Sequence, residues 1–407
     1  MTEFSALESK YGAGNYKPLP VTLVRGKGVY LWDDQGHRYL DMMGAYSAAS
    51  FGHCHPGLVE ALTKQAHQLD TVSRAYFTDR LGPFLARACE LTQMDMALPA
   101  TGGAEAVETA IKAARKWAYK VKGVLADRAE IIVAEDNFHG RTTTIVGFSS
   151  VAQYRDGFGP FSHGFKIIKF NDVHALEAAI TPDTAAFLIE PIQGEGGINV
   201  PSPGYLSEAA RICRSRNVLL ICDEVQTGLG RTGRLLACHH DQVVPDGLIL
   251  GKALGGGLLP VSLFLARREV MQVFSPGDHG STFGGNPLAA AVGLAALDTL
   301  IKGQLIERSA ILGTVLLKKL SAINNPFIRE VRGKGLFIGV ELDQKAIRAA
   351  TVVENLLREG VLTKDTHRNT IRFAPPFVIE EAQIDWAIDK LEKVLAKMTR
   401  TLAAPRR

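Results

Sequence analysis

Two spacings of apolar residues recur along the chain and predict different elements. Between residues 104 and 118 they recur every three or four positions, with acidic residues in the first turn and basic residues later. This predicts an amphipathic helix that Gly102 and Gly103 open. Continuous apolar runs instead predict buried strands: IIVA (131–134), AAFLIE (185–190), VLLICDEV (218–225) and LIL (248–250). Helical stretches such as 204–216 lie between them, so we expect an α/β fold with a mostly parallel central sheet.

The pattern changes after about residue 300, where a helix, a strand-like VRGKGLFIGVEL (331–342), another helix, IRFAPP (371–376) and a last helix from about 380 follow. This order predicts a smaller C-terminal α/β domain. A chain of 407 residues exceeds one ordinary core, since domains average roughly 150 residues. We expect an N-terminal segment (1–50) that packs with the small domain, a large domain (51–300) and the small domain (301–407).

Composition narrows the class of protein. Hydrophobic residues make up 46% and charged residues 22%, and the net charge of +4 is spread along the chain, so we expect no nucleic-acid partner. The five cysteines are an odd number without regular spacing, which favours a reducing cytoplasm. The N-terminus lacks a basic and an apolar region, and no apolar stretch approaches the roughly 20 residues that span a bilayer, so no export or membrane insertion is expected.

Asp223 and Lys252 carry the strongest chemical signal. Asp223 lies near the end of one predicted strand, and Lys252 follows the next strand directly before a Gly-rich turn. Ligands of open parallel sheets bind at the carboxyl ends of strands, so both side chains are expected to face one crevice. Pyridoxal phosphate needs such a pair, because a lysine holds it and a carboxylate keeps its ring nitrogen protonated. The alternative is a surface lysine and a helix-capping aspartate.

The turn TGGA (101–104) opens the predicted helix and offers backbone N–H groups to a phosphate. By itself such a turn is weak evidence, because many helices open with glycine. The segment GLGRTG (228–233) matches a dinucleotide-binding pattern, but no convincing helix follows it, so we favour a turn. Clusters of histidine and cysteine at 53–55 and 238–240 lack the spacing of metal ligands, and no metal site is expected.

A series of motifs resembles one family of enzymes. The motifs are GNYKPLPV, GVYLWD, GHCHP, NFHGRT, EPIQGEGG, DEVQTGLGRTG, GKALGGG, HGSTFGGNP, VRGKGL and IRFAPP. From about Tyr11 to Val394, the chain resembles the class III, fold type I aminotransferases and, within them, the ornithine δ-aminotransferases. The resemblance implies a pyridoxal-phosphate-dependent transferase with a large and a small domain.

The resemblance also implies which residues hold the cofactor. Lys252 would bind pyridoxal phosphate as a Schiff base, Asp223 would pair with the ring nitrogen, and Gln226 would contact the ring hydroxyl. Phe138 would stack on the ring, beside Val225.

The same comparison assigns the phosphate to backbone groups of Gly103 and Ala104. The HGSTFGGNP segment would come from a neighbouring subunit, so that Ser281 and Thr282 complete the site across a homodimer interface. One departure is Gly102, where related enzymes carry a hydroxyl residue, and this puts cofactor affinity in question.

The substrate residues implied by the resemblance distinguish the ornithine enzymes. Tyr16 and Tyr46 are the two tyrosines expected in that branch, although each alone could be an aromatic core contact. Arg141 would bind the ornithine carboxylate or the side-chain carboxylate of glutamate. Arg372 would bind the glutamate α-carboxylate, and Glu195 would neutralise Arg372 when ornithine is bound.

We therefore expect transfer of the δ-amino group of L-ornithine to 2-oxoglutarate. The nearest alternative is an N-acetylornithine or other ω-amino-acid aminotransferase, partly because His139 stands where some ornithine enzymes have tryptophan. A racemase of the same fold and a catalytically silent binding protein are more distant alternatives.

Overall fold

A computed structural model describes residues 2–403, with side chains as far as residue 400. Residue 1 and residues 404–407, at the ends of two predicted segments, lie outside it. The helices are α1 (Glu3–Tyr11), α2 (Gly44–Ser47), α3 (Pro56–Ala66), α4 (Leu81–Thr92), α5 (Gly103–Trp117), α6 (Thr143–Gly147), α7 (Ala152–Arg155), α8 (Val173–Ala179), α9 (Tyr205–Ser215), α10 (Arg268–Met271), α11 (Pro287–Lys302), α12 (Leu305–Ser321), α13 (Ala349–Arg358) and α14 (Glu381–Ala403). The strands are β1 (Leu23–Lys27), β2 (Tyr30–Asp33), β3 (Arg38–Asp41), β4 (Met96–Ala100), β5 (Glu130–Ala134), β6 (Phe165–Ile168), β7 (Thr184–Ile189), β8 (Leu219–Asp223), β9 (Gly247–Leu250), β10 (Ser262–Ala266), β11 (Ile328–Lys334), β12 (Phe337–Leu342), β13 (Val361–Leu362), β14 (Lys364–Thr366) and β15 (Thr370–Phe373).

The central sheet has the strand order β4-β10-β9-β8-β7-β5-β6. The pairs from β9 through β6 are parallel, and β10 is antiparallel to both of its neighbours. The predicted α/β fold with a mostly parallel sheet is therefore confirmed. The predicted helix at 104–118 is confirmed as α5, which begins and ends one residue earlier.

Two predicted strands differ from the structure. The strand predicted at 218–225 ends at Asp223, because the Asp223 carboxylate accepts a hydrogen bond from the Val225 backbone and turns the chain. The segment 331–342 is not one strand, since β11 and β12 form an antiparallel hairpin. The hairpin turns at Gly335, which has a φ of +54° and packs against the backbone of residues 231–233.

Two smaller sheets flank the central sheet, in the orders β1-β2-β3-β13 and β11-β12-β15-β14. In the first sheet β3 pairs in parallel with β13, so residues 38–41 hydrogen-bond to residues near 361. The N-terminal segment is thus joined directly to the C-terminal part of the chain. The boundaries 1–50, 51–300 and 301–407 remain a prediction.

The middle of the central sheet is buried throughout, since every residue of β7, β8, β9 and β10 is buried. α5 covers one face, and α9 and α11 belong to the larger apolar cluster on the other. No single helix among residues 2–403 is long and apolar enough to cross a membrane, although the bent pair α11 and α12 reaches that length and composition together.

Arg231, from the segment GLGRTG, ties separate parts of the fold together. Its guanidinium is fully buried and donates to the carbonyls of Leu336 at 3.0 Å and Pro375 at 2.7 Å, and to Ser50 Oγ at 2.6 Å. It also lies 4.6 Å from the centre of the Phe377 ring. Burial lowers the pKa of Arg231 to about 9, against the opposing charge of Asp41. The segment therefore joins three regions of the chain instead of binding a dinucleotide.

We expect Arg231→Ala to destabilise the protein by about 3–5 kcal/mol, because it leaves a cavity and buried acceptors without donors. The midpoint of thermal unfolding at a fixed heating rate measures this, since large proteins often unfold irreversibly. Arg211→Ala is the control, because Arg211 forms an ion pair with Glu208 on an exposed face of α9. Equal midpoints for the two variants would contradict the joining role of Arg231.

Candidate active site

Lys252 lies between β9 and β10, at the start of a short 3₁₀ turn (Lys252–Gly255). Its φ of +43° is in the left-handed region, which disfavours non-glycine residues, so the surrounding turn must hold it there. Burial lowers the pKa of its amine. The charge of Glu195 opposes this shift, Arg372 adds to it and Asp223 opposes it. The four ionisable groups therefore lie close together, with Asp223 and Lys252 at strand ends of the central sheet and Arg372 on β15 of a neighbouring sheet.

Asp223 ends β8 and is held from two sides. Its Oδ1 accepts a hydrogen bond from Val225 N at 3.0 Å, and its Oδ2 lies 2.7 Å from His139 Nδ1. Burial by itself would lower the pKa of His139, but the hydrogen bond and charge of Asp223 outweigh it and raise that pKa. His139 Nε2 is buried and has no hydrogen-bond partner among residues 2–403. The two residues form a fixed, buried pair.

The Gln226 side chain lies directly over Gly194. A Cβ at Gly194 would come within 1.7 Å of Gln226 Oε1, so a side chain there would displace the amide. Gln226 Nε2 is 3.5 Å from Glu195 Oε1, while Oε1 of the same amide is buried and unpaired within the described part of the chain. Gly194 thus sets where this free oxygen lies.

Arg372 on β15 is fully buried and forms an ion pair with Glu195, with 2.8 Å between Nη1 and Oε1. Burial would raise the pKa of Glu195, but the charge and hydrogen bond of Arg372 lower it to about 2. Although Nη1 lies at ion-pair distance from Glu195, none of the three guanidinium nitrogens makes a hydrogen bond of good geometry to the described residues. The guanidinium is therefore compensated in charge while part of its hydrogen-bonding capacity stays unused.

Tyr46 is held against Arg372, 5.2 Å from ring centre to guanidinium carbon. The turn that carries it, α2, has positive φ at every residue from 44 to 47. Asp41 stabilises this turn, because its Oδ1 accepts from the backbone N–H groups of Met43 and Gly44, each at 2.9 Å. Burial raises the pKa of Tyr46, and Glu195 and, more weakly, the neighbouring Tyr16 add to this shift. Tyr16 itself is 77% exposed.

The N-terminus of α5 lies next to the lysine turn. A Cβ at Gly103 would come within 3.0 Å of Val225, and one at Gly251 within 3.2 Å of the same side chain. Ala104 packs on Gly140, where an added Cβ would be 2.8 Å away. The N–H groups of the first helical turn have no acceptor within the helix, and Gly102 leaves open space in front of them.

Arg141 is exposed and stacked on aromatic rings. Its guanidinium carbon is 3.7 Å from the ring centre of Tyr154 and 5.4 Å from that of Phe138. Phe138 is fixed through its backbone, because its N–H donates to Glu190 Oε2 at 2.8 Å. The site thus contains one compensated arginine, Arg372, and one stacked arginine whose charge faces solvent.

Ser281 and Thr282 have no contact with the Lys252 turn within the described residues. Ser281 Oγ accepts a hydrogen bond from Gly284 N at 3.1 Å, and Thr282 is exposed. The adjoining His279 lies 3.0 Å from Thr109 Oγ1 on α5. A single chain therefore leaves these two predicted cofactor residues outside the cluster.

Three further residues in this cluster were not predicted. Glu190 follows β7 directly, so the strand-end rule that found Asp223 could have found it too. Tyr154 and His367 come from a short helix and from the loop after β14, and they meet across 213 positions of sequence. No local pattern marks such a pair.

The residues fit a flat, ionisable ring with a phosphate. The ring side offers a lysine amine, the carboxylate of Asp223 and the unpaired oxygen of Gln226. The phosphate side offers the open N-terminus of α5. Pyridoxal phosphate has this combination of groups, so the site can hold it.

Comparison with known proteins agrees with this geometry. The Aminotransferase class-III family model matches residues 11–395. An ornithine aminotransferase of Geobacillus sp. is 55% identical over 395 residues, 97% of this chain and 98% of that protein. The structure of the ornithine aminotransferase of Toxoplasma gondii ME49 superposes with a TM-score of 0.95 at 44% identity, over 98% of this chain and 95% of that one. An acetylornithine aminotransferase of Elizabethkingia anophelis gives 0.88 at 45% identity, over 97% and 98%. The chain therefore belongs to the class III aminotransferase family.

Proposed function

We propose that the protein is a pyridoxal-phosphate-dependent ornithine aminotransferase, which transfers the δ-amino group of L-ornithine to 2-oxoglutarate. The products are glutamate-5-semialdehyde and glutamate. The observation that carries the proposal is the pairing of Arg372 with Glu195 beside Arg141, which has no ion pair among the described residues, because this provides one blocked and one available carboxylate site. Curated relatives of 55% identity that are named ornithine aminotransferase support it.

When bound, pyridoxal phosphate supplies an electron sink for the carbanion that forms at the reacting carbon. Asp223 would hold the ring nitrogen protonated, with His139 and the Val225 backbone fixing its orientation. Gln226 Oε1 would accept from the ring hydroxyl, and Phe138 would cover a ring face. Further contacts, from the N–H groups of Gly103 and Ala104, would hold the phosphate.

Lys252 would bind the cofactor and then move a proton. Burial lowers the pKa of its amine, which favours the neutral, basic form. The amine would remove a proton from the δ-carbon of ornithine and return one on the cofactor side. In the second half-reaction, the same amine acts at the α-carbon that 2-oxoglutarate provides.

Two substrates of different length must present different carbons to Lys252. Ornithine would bind with its carboxylate on Arg141 and Tyr16, while Glu195 keeps Arg372 compensated. 2-Oxoglutarate carries two carboxylates, so one would take Arg141 and the other Arg372, after Glu195 moves away. The bidentate fork of arginine suits both contacts.

A homodimer is part of this proposal. Ser281 and Thr282 lie away from Lys252 of their own chain and would serve the phosphate of the neighbouring subunit. The loop that carries them is flanked by exposed aromatic side chains, Tyr76, Phe77 and Phe283, which a partner surface could cover. The five cysteines are unpaired, in line with an enzyme of the cytoplasm.

The acetylornithine branch is the second candidate, because the Elizabethkingia enzyme matches this chain at 45% identity. Comparing L-ornithine and N-acetyl-L-ornithine as sole amino donors separates the two functions. Faster reaction with the acetylated donor would overturn the proposed substrate. Failure of both donors to convert the cofactor would favour a racemase or a binding protein.

We expect Lys252→Ala to abolish amino transfer and to leave cofactor that dialysis removes, because no other lysine within residues 2–403 follows β9 directly. Activity and the visible absorbance of dialysed protein measure the two effects. Lys122→Ala is the control, since Lys122 is also partly buried but bonds to the Thr184 carbonyl on another side of the fold. Retained activity in Lys252→Ala would show the site to be misassigned.

We expect Glu195→Gln to lower selectivity for the δ-amino group, because Arg372 then keeps its charge free to attract the ornithine carboxylate. The glutamate half-reaction should be preserved.

Tyr16→Phe should instead slow only the ornithine half-reaction, by several-fold for a lost hydrogen bond worth roughly 1 kcal/mol. Single-turnover kinetics of each half-reaction measure both effects. If each variant slowed both half-reactions equally, Glu195 would not be the residue that alternately blocks and frees Arg372.

The buried Glu190 gives a prediction about pH. Burial raises its pKa from 4.5 to about 7, with His139 opposing and Asp223 adding to the shift. The folded protein therefore binds this proton more tightly than the unfolded chain, and stability falls as pH rises from 4.5 to 7. Between pH 5 and pH 8, the midpoint of thermal unfolding should therefore fall less in Glu190→Gln than in the parent protein. An equal fall in the two proteins would mean that Glu190 is ionised throughout this range.

A further inference from the structure

Arg141 has no acidic partner within ion-pair distance in the part of the chain that the structure describes. Its guanidinium instead rests on Tyr154 at 3.7 Å, and Phe138 lies behind at 5.4 Å. The two rings meet edge to face, with centroids 6.3 Å apart and planes at 81°. A cation is attracted to the face of an aromatic ring, so this pair sets where the guanidinium lies.

Tyr154 is itself fixed from the opposite side of the site. Its hydroxyl lies 3.3 Å from His367 Nε2, and the two rings are 6.0 Å apart. The same segment also holds Glu195, because His367 N donates to the Glu195 carbonyl at 3.4 Å and Thr366 Oγ1 donates to it at 2.6 Å. Tyr154 thus connects the stacked arginine with the strand edge that supports Glu195.

The charges around the phenol agree with this position. Burial raises the pKa of Tyr154, and Arg141, Glu195 and Arg372 all act on it. The hydroxyl therefore lies within range of both candidate carboxylate sites. α7, the helix that carries Tyr154, has only four residues, so its ring depends on these contacts for its orientation.

We propose that Tyr154, held by His367, is a positioning residue that presents Arg141 to the substrate carboxylate. The inference rests on the proposed function, in which Arg141 binds that carboxylate. A long arginine side chain on an exposed loop samples many rotamers, and substrate binding must order it. Stacking on Tyr154 would order the guanidinium beforehand and so strengthen substrate binding.

The test compares Tyr154→Leu with Tyr154→Phe in the holoenzyme. Tyr154→Leu removes the ring face, and we expect KM for ornithine and for 2-oxoglutarate to rise roughly three- to tenfold with a much smaller change in kcat. Tyr154→Phe keeps the ring and loses only the bond to His367, so it should recover most of this loss. Tyr119→Phe is the matched control, because its hydroxyl accepts from Ala129 N away from the site. It should leave both KM values unchanged.

A double-mutant cycle shows whether Tyr154 acts through Arg141. The variant Arg141→Ala/Tyr154→Leu should bind both substrates no more weakly than Arg141→Ala alone. Additive losses, or a fall in kcat without a rise in KM, would overturn the positioning role. An impaired Arg141→Ala beside a fully active Tyr154→Leu would overturn it as well, while leaving the proposed function intact. If Arg141→Ala binds both substrates normally, the role of Arg141 fails and that of Tyr154 with it.

The midpoint of thermal unfolding and the cofactor absorbance distinguish a positioning role of Tyr154 from a merely structural one. Both should be the same in Tyr154→Leu as in the parent, because Tyr154 is only partly buried and lies on a short helix outside the central sheet. A lowered midpoint together with lost cofactor would show that the ring supports the fold, which would contradict the proposal.

Discussion

A fully buried guanidinium is the constraint on which the rest of this site depends. Arg372 cannot remain charged in the interior without a compensating carboxylate, and Glu195 supplies it. The two residues come from β15 and from the loop after β7, so their pairing requires the C-terminal sheet to sit against the central sheet. Thr366 reinforces this arrangement by donating to the Glu195 backbone. Folding of the two sheets and assembly of the site are consequently one event.

The turn that carries Tyr46 shows that the N-terminal segment takes part in the same event. Successive non-glycine residues in the left-handed region cost roughly 1–2 kcal/mol each, so this conformation persists only because its surroundings impose it. A Cβ at Gly44 would lie 2.6 Å from the Ala374 carbonyl, two residues after Arg372. On the other side, the Asp41 carboxylate accepts hydrogen bonds from the backbone N–H groups of Met43 and Gly44. The strained turn is thus supported by the end of β3 on one side and by the backbone that follows β15 on the other.

The sequence was sufficient for four neighbouring strands of the central sheet, β5, β7, β8 and β9, and for the residues Asp223 and Lys252 at their ends. Asp223 and Lys252 each follow an apolar run, and the order of runs and helices determines which edge of the sheet they reach. Long-range pairing was not predictable in this way. The reversed strand β10 looks like any other apolar run, and the hairpin in 331–342 depends on Gly335 meeting distant backbone. Tyr154 and His367 share no local pattern, because only the folded chain brings them together.

The reversal of β10 has a consequence for how such an enzyme can change over evolution. Parallel neighbours in a sheet need a long crossover, whereas β9 and β10 are antiparallel and joined by the short segment that contains Lys252. The Lys252 amine is therefore anchored between two buried strands, where larger changes of the backbone would disturb the packing of the core. Of the residues proposed to bind the substrate, Tyr16, Tyr46 and Arg141 lie on the N-terminal segment or on a loop, where replacements are tolerated far more readily, whereas Arg372 lies on a buried strand. A new amino donor can thus be acquired by changes at the rim, while the chemistry at the centre is inherited unaltered.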